Sequence, residues 1–481
     1  MKQIIISRDG LETRVAVMEE GRPAELYVER PGCRSLVGNI YKGRVENVLA
    51  GMDAAFVDIG LDRNGFLYVD EVSMSEGRRT QTRKITDLLQ GGKEVLVQVA
   101  RDAMGSKGPR LTTQLTLAGR YLVYLPRTAV LGVSRRLDDA ERDRLRSICK
   151  TLDPAPGGMI IRTAAEGADE EALGRDLRFL QRVWEGVERR IRVAGAPSLV
   201  YTEADLAMRA VRDLLGPEFD AVLVDDMKLH RRLAGYLRAV SPDLAGRVEL
   251  REGDIPLFER LGLDEEVGKA LRRRVELPSG GYIVIDHTEA MTVIDVNTGR
   301  YVGRRFLEDT ILRTNVDACR EIVRQLRLRD IGGIIVVDFI DMASRSNRDA
   351  VLMALEAELA QDRTKTYVVE VSPLGLVEMT RQNVARGLSE VLTMPCPCCH
   401  GDGRVVSEES ALITVERRLR ALVLTSTSPG LRVEVHPRIA ARLLGGRNPL
   451  LRQVEQETGH RIFLQAADEK AALDHLAVVP D

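Results

Sequence analysis

Gly332-Gly333-Ile334-Ile335-Val336-Val337-Asp338-Phe339-Ile340-Asp341-Met342 is the stretch on which the fold turns. Two glycines, four consecutive aliphatics and an aspartate read as one strand, 334–339, entered by a turn and ended by a carboxylate. Upstream, helical periodicity runs from about Glu308 to Arg327. Before it, Tyr282–Asp286 and Met291–Asn297 form a hairpin around His287-Thr288-Glu289-Ala290. Downstream, a second helix covers roughly Asn347 to Gln361. Strands and helices in that order predict a layered α/β domain.

The pattern changes toward the N-terminus. Residues 205–275 alternate helix and strand, with Ala221–Val224 a buried strand. Leu173, Leu177, Leu180, Trp184, Val187 and Ile191 share one helix face, which Gly195 and Pro197 end. Met159-Ile160-Ile161 is a strand closing on Arg162-Thr163. Five short β-rich pieces between 38 and 117 predict a small closed barrel of the oligonucleotide-binding kind. Between Ser73 and Thr86 a polar, Arg-rich stretch reads as a disordered loop. Residues 2–30 read as a three-strand meander, and 406–481 as a small mixed tail.

A chain of 481 residues has room for several cores, and its net charge of −2 announces no polyanion partner by itself. Arg8 and Asp9 interrupt the apolar N-terminus too early for a signal peptide, and the run at 334–337 is far short of a membrane span. Six cysteines, three of them clustered, do not form a disulfide framework. The expectation is a soluble, cytoplasmic protein with no membrane span.

Four constellations could carry chemistry. Asp295 and Asn297 lie two apart on a strand and share a face, and Asp338 ends the neighbouring aliphatic run. Hard oxygen ligands of this kind suit Mg²⁺, while the same spacing fits strand-end turn residues equally well. Asp286 and Asp341 carry the same ambiguity. Phe56 and Phe66 fall in the barrel, with Tyr41 upstream, and either stack bases or fill its core. Lys42, Arg44 and Lys107, and the cationic run 299–305, either follow a phosphate backbone or are simply solvated surface charges. Arg162-Thr163 pairs a guanidinium with a hydroxyl, a combination able to grip a terminal phosphate, though a bare dipeptide at a strand end fits an ordinary structural role at least as well. Finally, Met394-Pro395-Cys396-Pro397-Cys398-Cys399-His400-Gly401-Asp402-Gly403 offers two thiolates, Cys396 and Cys399, at knuckle spacing. A closed zinc site needs four ligands, so a second chain must supply the rest, giving a metal-stapled dimer. The competing reading is an incidental cysteine cluster, with Cys33, Cys149 and Cys319 isolated elsewhere.

Together these pieces resemble the ribonuclease E/G family of bacterial endoribonucleases. The resemblance rests on Gly38-Asn39-Ile40-Tyr41-Lys42-Gly43-Arg44-Val45, Ala54-Ala55-Phe56-Val57-Asp58-Ile59-Gly60, Ile294-Asp295-Val296-Asn297-Thr298-Gly299, the 332–342 stretch and the Cys-Pro-x-Cys knuckle, in family order. The Asp295–Gly299 wording, and an end without a long scaffold tail, resemble the G rather than the E branch. The resemblance implies an RNase H-like fold from 1–35 and 205–275, with an inserted S1 barrel of the OB-fold type (36–118) and a 5′-sensor (119–204). It further implies a DNase I-like catalytic domain (276–393), a zinc link (394–405) and a small C-terminal domain (406–481). By the same resemblance Asp295 and Asp338 coordinate Mg²⁺ with Asn297 positioning it, and Phe56 and Phe66 stack single-stranded RNA with Lys107 near its backbone. Arg162 and Thr163 would hold a 5′-monophosphate. Cys396 and Cys399 would ligate a Zn²⁺ shared by a homodimer, which either stops there or pairs into a tetramer, and Cys398 would compete for the metal. Lys365 falls where the family often has a basic residue near the phosphate pocket. The implied reaction is Mg-dependent cleavage of single-stranded RNA to 5′-monophosphate and 3′-hydroxyl ends, in rRNA processing or mRNA decay. A non-catalytic RNA-binding scaffold and a zinc-dependent hydrolase are the alternatives.

Overall fold

The computed structural model describes residues 1–72, 84–103, 107–299, 307–372, 375–382, 387–397, 399, 401, 403, 406–425, 430–445, 450–468 and 471–479. These form two compact units, Met1–Leu392 and Thr393–Asp481. The polar stretch expected to be disordered lies mostly outside the described residues. Its end does not, since Ile85–Leu88 is a short helix whose Ile85 plugs the barrel core.

Ile4, Ile5 and Ile6 show how the first sheet is built. All three are buried, yet neighbouring strand residues point to opposite faces, so both faces must be covered. Ile4 and Ile6 pack with Val15, Val17 and Val222, whereas Ile5 packs with Leu26, Phe258 and Leu263. The sheet runs Val248–Leu250, Ala221–Val224, Lys2–Arg8, Thr13–Glu19, Arg22–Glu29. Lys2–Arg8 pairs in parallel with Ala221–Val224, so the chain from the end of the Arg22–Glu29 strand to Ala221 is inserted into this sheet. Asp225 pins the strand end by accepting from the Ser7 hydroxyl (2.6 Å) and the Arg8 N–H (2.9 Å).

The insertion holds two β structures. Ile40–Leu49, Ala54–Asp58, Gly65–Tyr68, Arg110–Thr112 and Glu94–Arg101 form a closed five-strand barrel, sealed where Ile40–Leu49 pairs with Glu94–Arg101. Its interior is Val45, Val57, Leu67, Val97 and Leu111, and it includes Tyr41. The second is a four-stranded sheet, Leu131–Val133, Gly158–Ile161, Leu122–Leu125, Leu117–Ala118. Against it lies the helix Glu170–Val193, capped where Asp169 accepts from the Ala172 N–H, with Leu173, Leu177, Leu180, Trp184 and Val187 buried.

The remaining sheet of the first unit is six-stranded: Arg274–Glu276, Tyr282–His287, Met291–Asn297, Gly333–Asp338, Leu376–Arg381, Thr366–Val371. Met291–Asn297 and Gly333–Asp338 are parallel, joined through the crossover helix Leu307–Arg329. That helix and Arg345–Leu359 cover one face, burying Ile294, Val296, Ile335 and Val337 against Cys319, Ile322, Leu326 and Leu355. The aliphatic run 334–337 is therefore not buried throughout, because Ile334 is 48% exposed and faces the uncovered side. A buried ion cluster ties the sheet's base. Arg381 donates to Asp330 (3.0 Å), to Asp362 (2.8 Å) and to the Ile331 carbonyl (2.9 Å).

The second unit packs the helices Glu408–Thr425, Pro437–Leu444 and Leu450–Thr458 on a three-stranded sheet through Val415, Leu419, Val433 and Ile439. Among the described residues, no helix is long and apolar enough to cross a membrane.

Candidate functional site

Strand register brings the acidic residues together. Asp295 and Asp338 are direct partners across the parallel pair, which sets their backbones about 4.8 Å apart with both side chains on the uncovered face. Asn297, two residues on, donates its side-chain amide to an Asp295 carboxylate oxygen at 2.7 Å. Both aspartates are exposed on that face. Partial burial, then the negative charges of Asp295 and Asp341, raise the Asp338 carboxyl above the usual carboxylate value. Two adjacent carboxylates and an amide oxygen form a hard donor set that fits a divalent cation and leaves room for water and phosphate oxygens. Among the described residues, no group of three or more His, Cys, Asp or Glu side chains is gathered for a metal. Asp286 is instead paired with Arg273. Lys365 precedes Thr366, which aligns with Arg381 and Gly333 at the end of the sheet opposite Asp338. Five strand residues at about 3.3 Å each put it on the order of 16 Å from the acidic pair, so it is no part of that site. Positions 300–305 of the cationic run lie outside the described residues.

The aromatic residues resolve into two groups. Tyr41 is 4% exposed and belongs to the barrel core. Phe56 and Phe66 sit opposite each other on neighbouring strands, half-buried on the outer surface, with ring centroids 5.5 Å apart. Sequence reasoning missed Tyr68, which extends the row at 4.6 Å from Phe66, with the Arg110 guanidinium 5.3 Å above its ring. The signal was present, since Phe66 and Tyr68 are two apart on a strand. Lys42 and Arg44 each already have a partner within the chain. Lys42 binds the Ala194 carbonyl and Glu94, and Arg44 binds the Ala196 carbonyl. Lys107 is exposed.

Arg162 leaves the strand Gly158–Ile161 with its Nη1 donating to the Gly119 carbonyl (2.6 Å) and to Asp213 (2.7 Å). Thr163 follows, its hydroxyl 2.9 Å from that of Ser134. Ser134 in turn is anchored by its N–H to the Ile161 carbonyl. A guanidinium and two hydroxyls thus converge at the end of one sheet. Asp213 and Gly119, the partners that aim Arg162, come from distant positions that no local pattern marks.

In the second unit, Cys399 Sγ accepts the Gly403 N–H at 3.3 Å. Gly401 (φ 103°) and Gly403 (φ 67°) both take left-handed backbone that a side chain would strain, the turn geometry a knuckle needs. Two cysteines three apart, with a backbone N–H turned toward one sulfur in a tight turn, fit half of a zinc site as donor set and turn. Cys396 is exposed, and Cys398 lies outside the described residues. Cys149 and Cys319 are buried elsewhere, and burial, then Glu358, pushes the Cys319 thiol up to about 12.

Comparison with known proteins adds independent findings. A sequence model of the ribonuclease E/G family matches residues 116–384, and one described as the RNase E/G thioredoxin-like domain matches 395–479. Ribonuclease G of Salmonella typhimurium (strain SL1344) is 41% identical over 471 residues, 96% of each chain. Ribonuclease G of Haemophilus influenzae is 39% identical over 460 residues, 94% of each. Ribonuclease E of Escherichia coli (strain K12) is 36% identical over 482 residues, which are 98% of this chain but 45% of that protein.

Proposed function

The chain belongs to the ribonuclease E/G family and is an endoribonuclease; from that premise we propose that it cleaves single-stranded RNA at the Asp295/Asp338 pair, using Mg²⁺ and favouring 5′-monophosphorylated substrates. The observation that carries this reading is the register that sets two carboxylates side by side with no cation of the described chain paired to either. A magnesium ion held by Asp295 and Asp338 would supply charge neutralisation at the scissile phosphate and an activated water, leaving 3′-hydroxyl and 5′-monophosphate ends. Asn297 fixes the Asp295 carboxylate through its amide N–H, so one oxygen is oriented before substrate arrives. The row Phe56, Phe66, Tyr68 offers flat apolar faces to unstacked bases, with the Arg110 guanidinium over the Tyr68 ring and held there by Glu71 at 2.9 Å. Arg162 and Thr163 would take the 5′-monophosphate through charge-assisted hydrogen bonds. Cys396 and Cys399 would each contribute a ligand to a zinc shared by two protomers.

The test is cleavage of a labelled A/U-rich RNA in 5′-monophosphate and 5′-hydroxyl forms, with Mg²⁺ or EDTA, by wild type and Asp338→Asn. Mg-dependent cutting that prefers the monophosphate and vanishes in the variant, with RNA binding retained, is expected. Full activity in Asp338→Asn would remove the carboxylate pair from the mechanism. Cutting that ignores the 5′ end would remove the sensor role.

A further inference from the structure

Arg162 does not stand alone at its sheet end. Asp213, which accepts from its Nη1, is the last residue of the helix Leu206–Asp213. A carboxylate at a helix C-terminus opposes the macrodipole, so local preference does not explain it. Its neighbours do. Arg212 grips both Asp213 oxygens, Nε at 3.1 Å and Nη2 at 3.0 Å, while its Nη1 reaches Glu203 at 2.5 Å and the Ala118 carbonyl at 3.1 Å. Burial opposes ionisation of Asp213, but Arg212 and then Arg162 hold its carboxyl below the ordinary value. Arg212 and Glu203 are each about one-tenth exposed, a setting in which such pairs keep their geometry.

The far end of this chain of charges meets the root of the barrel. Glu203 receives Asn39 through its own N–H, donated to the Asn39 side-chain oxygen at 2.8 Å. Its side chain lies against Gly38, where an added Cβ would come within 2.8 Å of Glu203 Cγ and the backbone holds φ +90°. Gly38 and Asn39 are in turn bonded to Val99 of the barrel strand Glu94–Arg101.

We infer that Asp213 is a positioning residue for the 5′ end of the RNA: braced by Arg212 and Glu203, it holds one edge of the Arg162 guanidinium so that the other edge meets a terminal phosphate. The inference rests on the sensor reading above and deepens it. Nη1 spends its hydrogens on Gly119 and Asp213, so a phosphate is met by the remaining N–H groups in one fixed orientation. An asparagine at 213 keeps the oxygen that accepts from Arg162 Nη1 and Arg212 Nε, but it turns an NH₂ toward Arg212 Nη2 and removes the negative charge the two guanidiniums share, so the brace on Arg162 is loosened.

The experiment measures kcat/KM for 5′-monophosphate and 5′-hydroxyl forms of one RNA with wild type, Asp213→Asn and Arg212→Lys. Asp213→Asn is expected to cut the monophosphate-to-hydroxyl ratio by roughly tenfold, the scale of one lost charge-assisted bond. The hydroxyl substrate reports that the enzyme is folded. Arg212→Lys, which keeps the charge but not the two-point grip, should fall between, and it carries the test if Asp213→Asn does not fold. A ratio that stays at the wild-type value, or rises because a negative charge has been removed near the phosphate, overturns the inference while leaving the sensor reading intact. A wild type with no 5′ preference overturns both.

Discussion

Phe66 is the middle ring of three, with edge-to-face contacts to Phe56 at 5.5 Å and Tyr68 at 4.6 Å. Replacing it with alanine removes a base-stacking face worth about 1–3 kcal/mol, which is roughly 5- to 150-fold in RNA affinity. It also removes two aromatic contacts of about 0.5–1.5 kcal/mol each, so Phe66→Ala should destabilise the barrel as well. Phe66→Leu separates the two effects. Leucine keeps an apolar side chain on the half-buried site but has no flat face, so the barrel should hold within about 1.5 kcal/mol while affinity still falls. Fluorescence anisotropy with a cleavage-resistant single-stranded RNA, at one fixed salt concentration, reads the difference, since phosphate contacts vary steeply with salt. Phe56→Leu, with one aromatic neighbour instead of two, should weaken binding less. Wild-type affinity in Phe66→Leu would refute the stacking role and leave the row as surface packing.

Cys396→Ser and Cys399→Ser should each lower bound zinc toward zero and shift sedimentation toward monomer; a zinc-free dimer would refute the shared site. Arg381→Ala leaves Asp330 and Asp362, 5% and 2% exposed, without their cation. That should cost about 3–5 kcal/mol, seen as lost hydrogen-exchange protection in the strand Gly333–Asp338. A loss below about 1 kcal/mol would mean that the carboxylates find other partners.

What could be read in advance followed from periodicity. Asp295 and Asn297 were legible as a pair because a strand repeats every two residues. The alignment of Asp338 with Asp295 was not, because parallel register is set by how the crossover helix packs, which no spacing records. Phe56 and Phe66 were ambiguous between core and surface until the barrel closed, and closure put Tyr41 inside and those two outside. Lys42 and Arg44 looked free because their acceptors, the carbonyls of Ala194 and Ala196, lie 152 residues away. Arg162 could be singled out by resemblance, but Asp213, 51 residues on, becomes its partner only through tertiary packing. Cys396 and Cys399 were legible as a candidate half-site because they are three apart in sequence.

The parallel pairing of Lys2–Arg8 with Ala221–Val224 also sets a timetable for biosynthesis. Ile4, Ile5 and Ile6 emerge from the ribosome long before the strand that covers their edge. At about 5–20 residues per second the gap lasts on the order of 10–40 s. Through that interval the N-terminal hairpins present an unpaired, strongly aliphatic edge, the kind of surface that recruits other nascent chains. The inserted barrel and its neighbouring sheet can close within that wait, because their partners lie within the insertion itself. Nascent-chain pull-down should therefore find chaperones bound to chains arrested before Ala221 and released soon after Leu250 emerges.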